Sequence, residues 1–330
     1  MDFWRFSLTD VDLSARLVGT YDPLLIALSF VVASVAAYSA LSVTERMRAA
    51  PHARTRLLWL SAGSLSMGLG VWAMHFIGMM SFRLAVPMNY GLTTTVLSVI
   101  PAVIASGVTI QILSVGPTNA WRLHVGALLM AAGIGTMHYT GMESMRMHVD
   151  IRYDFALFVA SILVAYLLAA LAFWVADRLR RRNVKDAFAQ IWGGGALGVA
   201  VCGMHYTAMR ASLFFPHPSP EGAREMMVSP FAISALIVVA TSFIVAVVVG
   251  STWVDRKLQL ARETVERLEG LLPICARCKQ IRDADGSWIQ VEVYVRDHSA
   301  AEFSHSICPP CSDELYPEFV NTSAANPSTT

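Results

Sequence analysis

The amino-acid sequence predicts an all-α membrane protein with seven transmembrane helices, arranged as three repeated helical hairpins plus one further helix. Three observations lead to this prediction. The 330 residues are 55% hydrophobic and 15% charged, whereas soluble globular proteins carry about 25% charged residues. The apolar residues form seven stretches of the roughly 20 residues that a membrane span requires. In addition, near copies of one Met-His motif recur at nearly constant spacing.

The seven predicted spans cover residues 23–43, 57–80, 92–113, 121–142, 154–176, 189–210 and 230–254. Together they form a predicted sensor domain, 23–254. The preceding segment, 1–22, is polar and mixed in charge, so we expect it to lie outside the membrane without a cleavable signal peptide. After the spans, the sequence predicts a short cytoplasmic linker helix (255–272), a small zinc-ribbon-like module (273–319) and a disordered tail (320–330).

Basic residues in the loops predict the orientation of the chain in the lipid bilayer. The loop after the first span contains four arginines, and the loop after the fifth contains four arginines and one lysine. Arg256 and Lys257 follow the seventh span. We therefore expect these segments in the cytoplasm, with the N-terminus outside and the C-terminus inside a bacterial inner membrane.

The three copies of the motif are Met74-His75-Phe76-Ile77, Met137-His138-Tyr139-Thr140 and Met204-His205-Tyr206-Thr207. Their histidines are 63 and 67 residues apart. Repetition at such a period indicates a repeated structural unit. Each copy lies near the end of an even-numbered span, and these spans all cross the membrane in the same direction. We therefore expect the three histidines at one depth, near the outer face.

The residue types in the motif indicate a metal site. Each histidine has a methionine directly before it and another four residues later, on the same helix face. Thioether sulfur suits Cu(I), and imidazole suits copper and several other metals. The candidate copper ligands are Met74, His75, Met79, Met137, His138, Met142, Met204, His205 and Met209. Cys202 is a further candidate, although a small buried residue is the simpler interpretation.

Two alternatives to a copper site stay open at this point. Two of the histidines could hold a haem iron between them. The residues could also be structural, because membrane histidines hydrogen-bond to neighbouring helices and methionines fill gaps in cores. Ionisable residues inside a membrane are costly, however, and three at one depth favour a functional site.

The motif residues resemble those of the MHYT family of bacterial integral membrane sensors, over about residues 20–255. The resemblance implies copper bound by the motif histidines and methionines, and a diatomic gas ligand such as oxygen, carbon monoxide or nitric oxide. The chain departs from the family pattern at Phe76-Ile77 in the first copy and at Ala208 in the third. Neither departure removes a candidate ligand, but Phe76 lacks the hydroxyl of the other two copies.

The charged segment after the seventh span predicts a helix. Apolar residues at alternating spacings of four and three form a short heptad seam, which would suit a parallel homodimer. The residues of this heptad pattern are Val254, Leu258, Ala261, Val265, Leu268 and Leu272. The alternative is a single amphipathic helix that lies on the next domain.

Two Cys-x-x-Cys pairs in the tail predict a zinc site. Cys275 with Cys278, and Cys308 with Cys311, could together form a tetrahedral Cys₄ set. A redox switch between the pairs is the alternative. The stretch from Asp283 to Gly286 predicts a tight turn within a short hairpin. This tail resembles a small cysteine-bearing module found at the C-terminus of many bacterial signalling proteins.

Taken together, the sequence favours a membrane sensor that passes its state to a cytoplasmic signalling partner. A copper or small-solute transporter is the main alternative, but the candidate ligands cluster at one depth and do not mark a path. The tail carries no recognisable kinase, cyclase or phosphodiesterase motif, so we do not expect an enzyme, with a membrane redox enzyme as the remaining possibility. Nothing in the sequence indicates a nucleic-acid partner.

Overall fold

The computed structural model of the protein describes residues 6–7, 13–114, 119–147, 149–181, 186–216, 226–269, 272–283 and 285–317. The chain divides into two compact units, residues 1–255 and 256–330. The predicted disordered tail (320–330) lies outside the described residues, as does most of the segment before residue 13.

The helices of the first unit are α1 (Pro23–Ala49), α2 (Ala53–Ser81), α3 (Leu92–Leu97), α4 (Val99–Ser114), α5 (Ala120–Glu143), α6 (Phe155–Arg181), α7 (Asp186–Ala211) and the first part of α8 (Pro230–Glu269). Among the described residues, five helical segments are long and apolar enough to cross a membrane: α1, α2, α3 with α4, α6 and α8. The helices α5 and α7 have 24 and 26 residues, but glycine, histidine and threonine lower their hydropathy. The chain is therefore a mostly helical, multi-pass membrane protein, and the count of seven spans stays a prediction.

Six helices close into a ring. The motif-bearing helices α2, α5 and α7 alternate with α1, α4 and α6, each of which packs against two motif helices. Glycines permit these close contacts, because a Cβ on Gly68 would lie 2.4 Å from Val103 Cγ2 and one on Gly198 would lie 2.2 Å from Ser34 Oγ. Small residues favour such packing between membrane helices. The helix α8 stands outside this ring, as the repeat predicts.

Short strands close each hairpin at the end of the bundle where the motif helices finish, which we refer to as the motif end. The antiparallel pairs are β2 (Thr20–Tyr21) with β3 (Phe82–Arg83), β4 (Asn89–Gly91) with β5 (Met145–Arg146), and β6 (Val149–Asp154) with β7 (Ser212–Pro216). The strands β1 (Phe6–Ser7) and β8 (Met227–Val228) extend the sheets at β6 and β4. Strands of two to six residues are too short to give a periodic signal, so the all-α prediction missed them.

The third predicted span consists of two successive helices. The helix α3 ends at Leu97, Ser98 is a turn residue, and α4 begins at Val99. Proline has no backbone N–H, so Pro101 cannot donate to the carbonyl four residues earlier, at Leu97. The lost hydrogen bond accounts for the interruption.

The predicted linker helix follows the seventh predicted span without a break. One helix of 40 residues, α8, contains both the seventh predicted span and most of the linker, because no proline interrupts it. Leu258, a residue of the predicted heptad pattern, is 55% exposed, as a dimer contact would be in a single chain. The homodimer stays a prediction.

The second unit contains the predicted hairpin. Strands β9 (Ile281–Arg282) and β10 (Trp288–Ile289) pair antiparallel, and Gly286 turns the chain with a φ of +85°. Two short helices follow, α9 (Val291–His298) and α10 (Pro309–Leu315).

Candidate metal centre

Three histidines meet in the centre of the bundle. The Nδ1 atoms of His75 and His138 are 3.1 Å apart, those of His75 and His205 are 3.2 Å apart, and those of His138 and His205 are 3.1 Å apart. All three residues are 0–1% exposed. Each lies five or six residues before the end of its helix, so three parallel motif helices bring them to one level. The predicted convergence of the histidines is confirmed.

The triangle of Nδ1 atoms has the size and chemistry of a metal site. A ring nitrogen either donates or accepts a hydrogen bond, so three facing Nδ1 atoms cannot satisfy one another. Three nitrogens bound about 2.0–2.1 Å from one ion lie at most about 3.5 Å apart, which suits the observed 3.1–3.2 Å. Metal sites in proteins commonly use His, Cys, Asp and Glu side chains. Among the described residues, a group of three such side chains with all ligand atoms within 4.8 Å of one another is found at these histidines.

The opposite side of each imidazole is buried without a hydrogen-bond partner, at Nε2. A Cβ added to Gly141 would lie 2.4 Å from His75 Nε2, and one on Gly78 would lie 2.3 Å from His205 Nε2. These contacts explain why a glycine stands three residues after the motif histidine. With no side chain, it leaves room for the imidazole ring of a histidine from another copy of the motif. The third copy has the buried Ala208 at this position.

The six motif methionines lie in the core and are 0–3% exposed: Met74, Met79, Met137, Met142, Met204 and Met209. The Met204 methyl carbon lies 3.8 Å from where a Cβ on Gly135 would be, so this side chain fills space between α7 and α5. Core packing accounts for their burial equally well. Methionine ligation therefore stays a prediction.

The remaining sequence candidates are placed apart from the triangle. Cys202 is 8% exposed, and it does not join the histidine group. A haem clamped between two histidines requires the rings on opposite faces of the macrocycle. Three Nδ1 atoms in mutual contact leave no such gap, so this arrangement suits a single ion.

Each motif histidine is followed by an aromatic residue that connects two hairpins. Phe76, Tyr139 and Tyr206 lie edge-on to their histidines, with ring centroids 4.8–4.9 Å apart. Each also packs against a tyrosine just before the first helix of a neighbouring hairpin. We refer to these contacts as the three joints: Phe76 with Tyr90 at 5.6 Å, Tyr139 with Tyr153 at 5.3 Å, and Tyr206 with Tyr21 at 5.9 Å.

Hydroxyl groups strengthen two of the three joints. The Tyr139 hydroxyl hydrogen-bonds to Ser161 Oγ at 2.9 Å, and the Tyr206 hydroxyl to Ser29 Oγ at 3.0 Å. Phe76 has no hydroxyl for such a bond, as the sequence indicates. Burial raises the pKa of Tyr90 to about 12, so this phenol stays neutral.

The sequence analysis missed the tyrosines and serines of the joints, although a signal was present. A tyrosine precedes a serine by eight residues at the start of each hairpin: Tyr21 and Ser29, Tyr90 and Ser98, Tyr153 and Ser161. The three serines are fully buried. Each donates at 2.7 Å to the carbonyl three residues earlier. This second repeat supports the hairpin as the structural unit.

The tail cysteines form two separate pairs. Of these four described residues, no three lie within 4.8 Å of one another. Hydrogen bonds from the backbone N–H of Cys278 lower the pKa of the Cys275 thiol, and those from Cys311 lower the pKa of Cys308. The predicted Cys₄ zinc set is not assembled in this structure, so zinc and the redox switch stay predictions.

Comparison with known proteins places this geometry in a family. The MHYT family model, described as a bacterial signalling protein N-terminal repeat, matches residues 68–127, 132–187 and 198–261. Each matched segment contains one histidine of the triangle. The chain belongs to the MHYT family. The family repeat starts with the motif helix, so its boundaries are shifted by one helix from the hairpins of the fold.

Several bacterial signalling proteins are similar to this MHYT protein. The bifunctional diguanylate cyclase/cyclic di-GMP phosphodiesterase MucR of Pseudomonas aeruginosa is 36% identical over 76% of this chain and 36% of its own length. The signalling protein YkoW of Bacillus subtilis is 29% identical over 75% of this chain and 31% of its own. The cyclic di-GMP phosphodiesterase NbdA of P. aeruginosa is 30% identical over 77% of this chain and 32% of its own. The chain thus spans about a third of these relatives, and no solved structure matches it significantly.

Proposed function

We propose that this MHYT protein is a membrane sensor that binds a metal ion, copper in the first place, through His75, His138 and His205. The observation that carries the proposal is the triangle of buried Nδ1 atoms 3.1–3.2 Å apart. Imidazole nitrogens suit copper, and methionine sulfur from the same helix faces suits its reduced form. A bound copper ion would supply a binding position for a small diatomic gas, which we propose as the sensed ligand.

The protein's own residues would hold this site dry and fixed. The three joints surround the triangle with aromatic rings edge-on to each imidazole. The histidines are 0–1% exposed, so water is excluded from their ring nitrogens. A donor set held by packing in this way needs little rearrangement to bind an ion.

A route from the site to the cytoplasm runs through α2 and α8. Ser234 Oγ of α8 donates to Met80 Sδ of α2 at 3.4 Å, one residue beyond the candidate ligand Met79. At the other end of the span, Arg46 of α1 donates to Asp255 of α8. A ligand that binds one arrangement of α2 more tightly than another would shift the position of α8. We propose that α8 passes this shift to a cytoplasmic signalling partner, without catalytic output from this chain.

We further propose seven spans in the bacterial inner membrane, with the N-terminus outside and the C-terminus inside. Arg46 and Arg48 at the end of α1, with Arg54 at the start of α2, lie at the end of the bundle opposite to the motif end. Basic residues favour the cytoplasmic side, which supports this orientation. With this orientation, the triangle would lie near the outer face.

Metal analysis of the purified chain tests the proposal. The background variant carries serine at the four tail cysteines, so that they cannot contribute copper ligands. We expect about one copper per chain in this background, and loss of most of it in His75→Ala, His138→Ala and His205→Ala, because a Met-rich site with two nitrogens binds far more weakly. The matched control is His124→Ala, since His124 is exposed on α5 and hydrogen-bonds to Tyr166.

An optical spectrum of the same samples separates copper from haem. The proposal is refuted if the background protein takes up no metal from copper-supplemented cells. It is also refuted if the alanine variants of the three triangle histidines retain as much copper as the His124→Ala control.

A further inference from the structure

The three joints around the triangle differ in burial. In the first, Phe76 and Tyr90 are 0% and 1% exposed, and in the second, Tyr139 and Tyr153 are 1% and 5% exposed. In the third, both Tyr206 and Tyr21 are only half-buried. The otherwise threefold wall of rings is therefore sealed on two sides and partly open on the third.

Chain topology also distinguishes this joint from the other two. The first hairpin continues into the second through residues 82–91, and the second into the third through 144–154. The third joint brings the last hairpin back to the first, so only non-covalent contacts hold it. We refer to this contact between α7 and α1 as the seam. At the motif end, a backbone hydrogen bond from Leu17 to the Phe214 carbonyl also crosses this contact, so an opening there must come from movement of side chains.

The seam can open only at its motif end. Towards the other end, a Cβ on Gly198 would lie 2.2 Å from Ser34 Oγ, and one on Gly194 would lie 2.9 Å from the backbone nitrogen of Tyr38. Such close packing of α7 on α1 leaves no passage. Near the triangle, by contrast, the half-buried Tyr206 ring packs edge-on against the His205 imidazole, with ring centroids 4.8 Å apart.

The lining of the seam is polar. The Tyr206 hydroxyl hydrogen-bonds to Ser29 Oγ at 3.0 Å. Hydroxyl groups suit a hydrated cation, whereas an apolar gas can reach a buried site through lipid. The Asp22 carboxylate, next to Tyr21, is paired with Arg83 at 2.9 Å, so its charge is largely neutralised. The Tyr206 ring, and not steering by charge, should then set the rate of passage.

We propose that the metal ion reaches and leaves the histidine triangle through the seam, and that Tyr206, held by Ser29, is the gate. This inference rests on the proposed metal site and adds the direction of access to it. A gate lowers or raises the barrier in both directions, so it changes the rates of loading and release together. A residue that merely positions a ligand changes the equilibrium affinity instead.

The test compares matched hydroxyl deletions at the seam and at a sealed joint. Tyr206→Phe and Ser29→Ala remove the seam hydrogen bond, and Tyr139→Phe and Ser161→Ala remove its buried counterpart. Cu(I) alone is added to purified protein that carries serine at the four tail cysteines, and release is followed with a Cu(I) chelator. We expect both rates to rise about threefold to tenfold in the seam variants, since one hydrogen bond is lost, with the dissociation constant within about twofold of the unmodified background.

The sealed-joint variants should load and release at rates close to those of the background. Equal acceleration in both pairs would overturn the proposal, as would a seam variant that changes the dissociation constant through release alone. Using two variants for each bond covers the case in which one of them does not fold.

A second readout needs no metal. Diethyl pyrocarbonate modifies imidazole nitrogens, and peptide mass spectrometry measures its rate at His75, His138 and His205 in the metal-free protein. Modification of the triad should be faster in the seam variants and unchanged in the sealed-joint variants. If the protein binds no copper but the seam variants are still modified faster, the metal proposal fails and the access route stands. If copper binds but the seam variants are modified no faster, only the access route fails.

Discussion

The histidines of the bundle and the cysteines of the tail are two candidate metal sites with opposite degrees of preorganisation. The Nδ1 atoms of the three histidines lie 3.1–3.2 Å apart at 0–1% exposure. The tail cysteines lie in two separate pairs, three of them exposed and one partly buried. The packing of a helical ring brings the first set of ligands together. Among the described residues of the tail, only Ile281 is buried, so no comparable core brings the cysteine pairs together.

This difference sets what a metal ion would contribute in each region. In the bundle, the ion would enter a site that is already assembled, so its removal should leave the fold intact. In the tail, the ion itself would bring the cysteine pairs together, and its binding free energy would be folding free energy. The contrast gives three predictions, each of which alters one region and leaves the other as a reference.

The largest effect is expected from filling the space beside the histidine rings. A Cβ in Gly78→Ala or Gly141→Ala would lie 2.3 or 2.4 Å from an imidazole nitrogen, so that ring must move by about 1 Å. We expect copper affinity to fall about tenfold to a hundredfold and stability to fall by about 1–3 kcal/mol. Copper titration and thermal unfolding in detergent measure the two quantities.

The matched control for this pair is Gly195→Ala in α7, where no atom lies within 4 Å of an added Cβ. Alanine favours a helix over glycine by about 1 kcal/mol, so the control should bind copper normally and be no less stable. Unchanged copper affinity in both Gly78→Ala and Gly141→Ala would show that ring placement does not govern binding.

A smaller effect, confined to the tail, is expected from zinc removal. If zinc joins the two cysteine pairs, a zinc chelator should raise the rate of proteolysis within residues 273–317 about tenfold or more, because the ion holds the module together. Cleavage of the bundle should not change. Limited proteolysis with mass spectrometry measures both regions in one sample, and a Cys275→Ser/Cys308→Ser variant supplies the zinc-free reference. Equal protease resistance with and without chelator would mean that zinc does not organise this unit.

The smallest effect concerns the pH dependence of thiol alkylation in metal-free protein. Backbone hydrogen bonds lower the pKa of Cys275 and Cys308, and the thiolate is the reactive form. Reactivity therefore rises with pH and should reach half its maximum below the ordinary thiol value of about 8.5. Rates of iodoacetamide labelling at each cysteine, followed from pH 5 to 10, measure this. A midpoint at or above the ordinary value for both thiols would contradict the hydrogen-bonded geometry.

The features that follow from the sequence are those that repeat over long, apolar segments. The spacing of His75, His138 and His205 predicts their convergence, because equal positions on parallel helices reach one level. The interruption at Ser98 depends on the single Pro101, which a hydropathy pattern does not register.

The parts that the sequence analysis missed depend on contacts between different hairpins. Tyr21 and Ser29 serve the motif of the last hairpin, not their own, so their role emerges only when the ring of helices closes. The roles of Gly78 and Gly141 are hidden for the same reason, since each faces a histidine from another copy. Local pattern therefore predicted the convergence of the histidines, and tertiary closure was needed to find the residues that hold them in place.

X-ray absorption at the copper edge gives the decisive measurement for the histidine site. The sample is the purified chain with serine at its four tail cysteines, compared with the same chain carrying His138→Ala. The account predicts three nitrogen ligands at about 2.0 Å in the first sample, with or without methionine sulfur, and loss of copper or of that nitrogen shell in the second. Copper held by sulfur alone, or an identical nitrogen shell in both samples, would contradict it.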